Sequence, residues 1–179
     1  MLRRPFVVWF TGLPAAGKTT ISTLVGIELE RAEIVVEHLD GDIVRTHLSR
    51  GLGFSKEDRD VNVERVAWVA SRVARAGAAV LVSMVSPYRE SRLRARELVE
   101  EHAAFVEVHV ATPLEQCVVR DPKGMYARAL AGELSDFTGV SAPYEEPTAP
   151  ELRLETTGRD ASECVAEVWS RLRELGLLA

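Results

Sequence analysis

Cysteine is nearly absent from this sequence: among 179 residues there are two, Cys117 and Cys164. Two are too few for a disulfide framework, and neither has a histidine or second cysteine at metal-ligand spacing. They read as buried thiols of a protein in a reducing cytoplasm. Long apolar runs are also missing; none approaches the roughly 20 residues that a membrane-spanning helix needs. The opening MLRRPFVVWF is short and leads straight into a turn motif, so it reads as a first strand and not as a secretory signal. Positive charge is in deficit, with 22 Lys and Arg against 27 Asp and Glu and a net charge of −5. That balance argues against a general nucleic-acid binder, but not against phosphate ligands held by local fields. Lysine is scarcest of all: Lys18, Lys56 and Lys123 are the only three, and the other 19 cationic side chains are arginine. A chain that otherwise uses arginine has a use for a compact ammonium where it does place lysine.

What is present alternates between two periods. The apolar runs PFVVWF (5–10), EIVVEHL (33–39), AAVLVSMV (78–85), AFVEVHV (104–110) and the weaker LRLET (152–156) are strand candidates. Helical patterns lie between them. SKED (55–58) looks like a capping box, with Ser55 as N-cap and Asp58 reaching back, ahead of Val63, Val66, Ala67, Ala70, Val73 and Ala74 at helical spacing. DASE (160–163) repeats the device before Val165, Val168, Trp169 and Leu172. Strands alternating with helices imply an α/β fold, a buried parallel sheet with helices on both faces and right-handed crossovers. The length suits a single domain spanning 1–179. The segment from about 120 to 150, rich in Pro, Gly and charge, departs from the pattern. Its Tyr126, Phe137 and Tyr144 argue for a lid rather than disorder.

Ligands of such sheets bind beyond the carboxyl ends of the strands, so the chemistry should follow each strand. After the first comes GLPAAGKT (12–19), which fits the phosphate-loop pattern G-x-x-x-x-G-K-[ST]. Gly12 and Gly17 permit backbone turns that aim successive N–H groups inward, and the next helix adds its N-terminal dipole. Lys18 brings a cation to the β- and γ-phosphates of a nucleotide, and the Thr19 hydroxyl can ligate Mg²⁺. Leu13, Pro14, Ala15, Ala16 and Thr20 complete the loop. After the second strand, Asp40 and Asp42 flank Gly41. One carboxylate there can accept the proton of an attacking hydroxyl or support a metal ion. The same text also reads as a plain turn with Asp42 capping the next helix. Arg45, Arg59 and Asn62 follow, and on pattern alone Arg59 belongs to a solvated helix face. Phe54 serves equally as a hydrophobic staple or as a base-stacking ring. After the third strand, Ser86 before Pro87 is either the turn that stops the strand or a group projecting into the site, with Arg89 and Arg92 nearby.

Taken in order, GLPAAGKTT, LDGDIVRTHLSRGLGFSKEDRDVN, SPYRESR and PLEQCVVRDPKGMYARALAGELSDFTGVSAPYEEPTAPEL resemble the adenylylsulfate (APS) kinases. The resemblance runs from about Val7 to Thr156, and RDPKG and FTGV…PYE are its most specific phrases. It implies a P-loop NTPase fold of the nucleoside-monophosphate-kinase type, three layers around a five-stranded parallel sheet. It also implies ATP-dependent phosphorylation of adenylyl sulfate in sulfate assimilation, with Mg²⁺, a homodimer and a working link to ATP sulfurylase. Carried over by position, Asp42 looks like the residue that activates the 3′-hydroxyl, and Asp40 like a support of the metal, through water. Arg45, Arg59 and Asn62 look like adenylyl-sulfate contacts, and Phe54 and Phe137 like rings sandwiching its adenine. Val85 offers backbone to that substrate. Ser86 matches a serine marked in the family as a phosphoryl carrier. Lys123 looks like the lid cation over the phosphates and Arg120 like the residue packing on the ATP adenine. Because phosphoryl transfer asks the protein mainly for positioning and charge neutralisation, Ser86 is expected to orient substrate and not to carry a phosphoryl group. Pro14, Ala15 and Ala16 depart from the usual serine- and glycine-rich loop interior. Val61 and Met84 depart from the usual acceptor-side residues and are expected to reshape that pocket mildly. Two other readings stay open: a kinase of the same build for another hydroxylated nucleotide or metabolite, and a catalytically inactive regulatory module of a sulfurylase fusion.

Overall fold

The computed structural model describes residues 4–179; residues 1–3 of the expected single domain lie outside the described residues. Its sheet has five strands in the order β2-β3-β1-β4-β5, every neighbouring pair parallel. The strands are β1 (Phe6–Thr11), β2 (Val36–Asp40), β3 (Ala79–Ser83), β4 (Ala104–Val110) and β5 (Leu152–Leu154). The helices are α1 (Lys18–Arg31), α2 (Gly41–His47), α3 (Lys56–Arg75), α4 (Arg89–Glu100), α5 (Leu114–Arg120), α6 (Met125–Leu130) and α7 (Ala161–Glu174).

β1 reads FVVWFT without alternation because both of its faces are covered, and all six residues are fully buried. Phe6, Val8 and Phe10 meet α1 and α7 through Ile21, Val25, Leu29, Val165, Val168 and Leu172. Val7 and Trp9 face α3 and α4 through Val63, Val66, Ala70, Ala95 and Val99. The three layers thus follow from the strand's period of two. Among the described residues, no helix is long and apolar enough to cross a membrane.

Several expectations about local structure need correction. β2 begins at Val36, not at residue 33: Glu33 is left-handed (φ 59°) and the Ile34 N–H still bonds Leu29 O, so the chain is leaving α1 there. Ser55 caps α3 as expected, but the Asp58 carboxylate accepts from the Gly53 N–H (2.9 Å) and does not close a box. The box at Asp160 and Glu163 is complete. Asp40, and not Asp42, is the N-cap of α2. The lid is not wholly irregular: α6 forms inside it, its first turn held by the Asp121 carboxylate, which accepts from the Tyr126 (3.1 Å) and Ala127 (3.0 Å) N–H groups.

Candidate active site

At the carboxyl edge of the sheet lies a cleft of about 850 Å³, lined by the phosphate loop, the start of α2, the turn after β3 and the lid. The phosphate loop is shaped by two glycines for different reasons. A Cβ at Gly12 would sit 2.6 Å from Val110 O, a close approach that only glycine permits. Gly17 is left-handed (φ 104°) at the N-cap of α1. Ala15 is also left-handed (φ 59°), a conformation that costs a non-glycine residue about 1–2 kcal/mol and that the surrounding bonds must maintain. Those bonds are present: Ala16 O accepts from Thr112 Oγ1 (2.7 Å) and Arg120 Nη1 (3.2 Å), and Pro14 O accepts from Tyr126 Oη (3.0 Å).

Lys18 is buried, and its ammonium donates to Gly12 O (3.0 Å) and Leu13 O (2.7 Å). Burial pulls its pKa down from 10.5 to about 8, a shift opposed by the negative charge of neighbours including Asp40 and Asp42. Thr19 Oγ1 donates to Asp40 Oδ2 (2.7 Å), while Asp40 Oδ1 accepts from the Asp42 N–H (2.9 Å). One hydroxyl and one carboxylate side by side in a phosphate cleft are hard oxygen donors that fit Mg²⁺. Among the described residues there is no group of three or more His, Cys, Asp or Glu that could hold a metal ion. Such a site suits a cation that keeps waters and shares substrate phosphates. Leu13 contributes backbone only; its side chain lies against Gly139 of the lid, away from the cleft.

Asp42 and Lys123 meet in an ion pair that bridges the acceptor side and the lid. Arg59 is not on a solvated face: it is 9 % exposed and donates to Phe54 O (2.8 Å), Thr138 Oγ1 (3.0 Å) and Asp136 O. Phe54 is no hydrophobic staple either, since the residue four positions after the Ser55 cap is Arg59 itself. The ring is 54 % exposed and carries the Arg45 guanidinium 4.3 Å from its centroid. Phe137 lines the same cleft and packs edge-on against Tyr126 at 5.0 Å between centroids. Asn62 is buried and accepts a hydrogen bond from Ser49 Oγ. Val85 O is taken by Thr11 Oγ1 (2.7 Å), and Val85 lines the cleft. Ser86 is left-handed (φ 39°), 3 % exposed, and its Oγ accepts from Trp9 Nε1 (3.0 Å). Met84 lines the cleft, whereas Val61 does not, so its expected effect on the pocket falls away.

Sequence reasoning missed Trp9, Thr11, Ser49 and Thr138, which hold site residues from 13 to 79 positions away, and Tyr144, which bonds Thr11 from 133 positions away. No local pattern announces such pairs. It also missed the start of α7, where Arg159, Asp160 and Cys164 line the cleft; the capping box at Asp160 was visible, but not that it faces the site.

Fold and cleft together define a P-loop protein with a nucleotide cradle on one side and an acceptor pocket under a lid on the other. A sequence profile described as adenylylsulphate kinase matches residues 4–155, and the chain belongs to that family. An adenylyl-sulfate kinase of Picosynechococcus is 49 % identical over 99 % of each chain. An APS kinase of Mycobacterium tuberculosis, solved in complex with AMPPNP and APS, superposes with a TM-score of 0.92 at 43 % identity, over 95 % of this chain and 98 % of that one. A hexameric APS kinase from Thiobacillus denitrificans superposes at 0.77 with 36 % identity, over 99 % of this chain and 30 % of that one.

Proposed function

We propose that this protein transfers the γ-phosphoryl group of ATP to the 3′-hydroxyl of adenylyl sulfate, giving ADP and 3′-phosphoadenylyl sulfate (PAPS) in sulfate assimilation. The observation that carries the reading is the Asp42–Lys123 ion pair in the cleft that the phosphate loop also lines, where Asp42 would accept a proton and Lys123 would neutralise phosphate charge. In this reading Gly12 to Thr20 cradle the ATP phosphates, with Lys18 on the β- and γ-oxygens and Arg120 beside the base. Thr19, with Asp40 through water, would hold Mg²⁺, which when bound neutralises charge on the phosphates. Asp42 accepts the proton of the 3′-hydroxyl. Arg45, Arg59, Asn62 and the Val85 backbone orient adenylyl sulfate, whose adenine lies between Phe54 and Phe137. Ser86 orients the acceptor: its hydroxyl is buried against the Trp9 indole, a poor place to build a phosphoryl dianion. A phosphorylated Ser86 forming and decaying at the turnover rate would overturn that role. The family resemblance supports the remaining assignments: a cytoplasmic homodimer that receives adenylyl sulfate from an ATP sulfurylase.

The test is to mix the purified protein with Mg·ATP and adenylyl sulfate and follow PAPS and ADP together. Equal amounts of both are expected. Asp42→Asn should lower kcat by about 10²–10⁴-fold, the worth of a positioned general base. ADP without PAPS would point to another acceptor, and nucleotide binding without turnover to a regulatory module; either defeats the proposal.

A further inference from the structure

Arg92 has no part in the reaction as described above, yet its guanidinium is 3 % exposed and all three of its nitrogens are engaged. Nε donates to Glu107 Oε1 (2.7 Å), Nη1 to Ser86 O (2.7 Å) and Nη2 to Glu145 O (2.6 Å). These acceptors belong to three separate parts of the fold. Glu107 lies on β4, Ser86 in the turn after β3, and Glu145 on the arm by which the lid returns to β5.

A buried ion pair is a poor way to gain stability alone, because desolvation offsets most of the attraction. Anchoring α4 does not require it either. Arg96, one turn further along, already joins α4 to Glu151 through two bonds of 2.9 and 2.8 Å. What Arg92 supplies beyond the anchoring of α4 is a short bond to Ser86 O, shared with a longer one from Thr11 Oγ1 (3.5 Å), at a residue whose left-handed backbone persists without glycine only when its neighbours over-determine it. Trp9 holds the Ser86 hydroxyl and Thr11 holds Val85 O, both reaching from β1, the strand that carries the phosphate loop. Arg92 completes the brace from the opposite side and fastens the lid arm to it. The arm is pinned further by the Glu145 N–H on Pro87 O (2.8 Å), the Arg89 N–H on Glu145 Oε2 (2.8 Å) and Arg89 Nε on Glu146 O (2.7 Å).

We propose that Arg92 is a positioning residue for the acceptor substrate: it locks the turn of Val85 and Ser86 in its left-handed form and ties that turn to the lid. The proposal rests on the functional reading above. Without the guanidinium the turn relaxes to negative φ and the Val85 and Ser86 groups swing out of register with Asp42, while the phosphate loop is untouched. Lysine cannot substitute, because one ammonium lacks the planar fork that reaches three acceptors in three directions.

Steady-state kinetics of Arg92→Lys, with each substrate varied in turn, test this. The expected result is a KM for adenylyl sulfate raised about tenfold or more, with the KM for ATP within about twofold of wild type, as when an interaction with one substrate alone is lost. Arg96→Lys serves as the structural comparison; it should lower the melting temperature without separating the two KM values. Trp9→Phe removes the grip on the Ser86 hydroxyl and keeps an aromatic ring, so it should shift the adenylyl-sulfate KM in the same direction, and it decides the matter if Arg92→Lys does not fold. Equal changes in both KM values, or an unchanged adenylyl-sulfate KM in Trp9→Phe, would overturn the proposal. A wild-type protein that makes no PAPS defeats the functional reading itself, before any variant is compared, and this proposal with it.

Discussion

Arg59→Met isolates what fastens the lid. Methionine keeps the unbranched apolar stem and introduces no buried charge, so the substitution removes the guanidinium and little else. Two of the bonds lost run to the lid, to Thr138 Oγ1 at 3.0 Å and to Asp136 O, and the third runs to Phe54 O. Hydrogen bonds to a charged group contribute about 1.5–3 kcal/mol each. Part of that returns because the desolvated charge is gone as well. A net weakening of lid closure by about 3 kcal/mol is a reasonable figure, or a roughly 150-fold shift toward the open form. The open form should keep the rest of the fold intact, since α3 packs through Val63, Val66, Ala67 and Ala70.

Limited trypsin digestion without substrates reads the latch directly, because Lys123 and Arg128 lie in the lid. Cleavage there should accelerate on the order of 100-fold when opening is fast relative to cutting, and the urea midpoint should fall by no more than the loss of closure, about 3 kcal/mol, accounts for. Kinetics alone would not suffice, since Arg59 is also assigned to adenylyl sulfate. An unchanged lid cleavage rate would refute the latch, whatever happened to turnover.

Lys18→Met should abolish turnover yet stabilise the protein at pH 7 by about 1–3 kcal/mol, measured by urea unfolding. The folded pKa of about 8 lies below 10.5, so the unfolded chain binds more protons between those values. Wild-type stability therefore rises with pH through that window, and the advantage of the variant is full below pH 8 and gone above 10.5. His109 gives the same sign at acid pH: burial first, then Arg153 and Arg92, hold its pKa at about 4 against 6.5. The neutral ring contributes stability that is full above pH 6.5 and is lost as pH falls toward 4. His109→Gln should thus retain about 2–3 kcal/mol more of its pH 7 stability at pH 4.5 than wild type does; equal losses would rule out a neutral, buried imidazole.

The phosphate loop was legible because its chemistry is local. Gly12, Gly17, Lys18 and Thr19 lie within eight positions, and backbone geometry demands those residue types at that spacing. The alternation of strands and helices was legible for a similar reason, each element carrying its own period. The acceptor side was less so. Arg59 looked like an ordinary helix-face residue because what distinguishes it, the carbonyl of Asp136 and the hydroxyl of Thr138, lies 77 and 79 positions away. Asp40 and Asp42 exchanged their capping roles because a single turn decides which of two carboxylates sits outside the helix. Helix α6 escaped notice because its cap, Asp121, stands outside the usual N-cap position, behind a left-handed Gly124.

Ser86 shows how far such a long-range dependence reaches. No property of the words VSPYR indicates that the serine is left-handed; a turn before proline predicts an extended residue. The conformation is imposed by Trp9 and Thr11 on one side and Arg92 on the other. Trp9 and Thr11 are fully buried on β1, a strand paired with β3 on one side and β4 on the other, so they have no freedom to follow a moving loop. On the proposed reading, the strand that carries the phosphate loop for one substrate is also the reference against which the turn for the other is set. For an in-line transfer, where a misplacement of about 1 Å can cost about 100-fold in rate, referring both substrates to one rigid strand limits the error that the lid must correct.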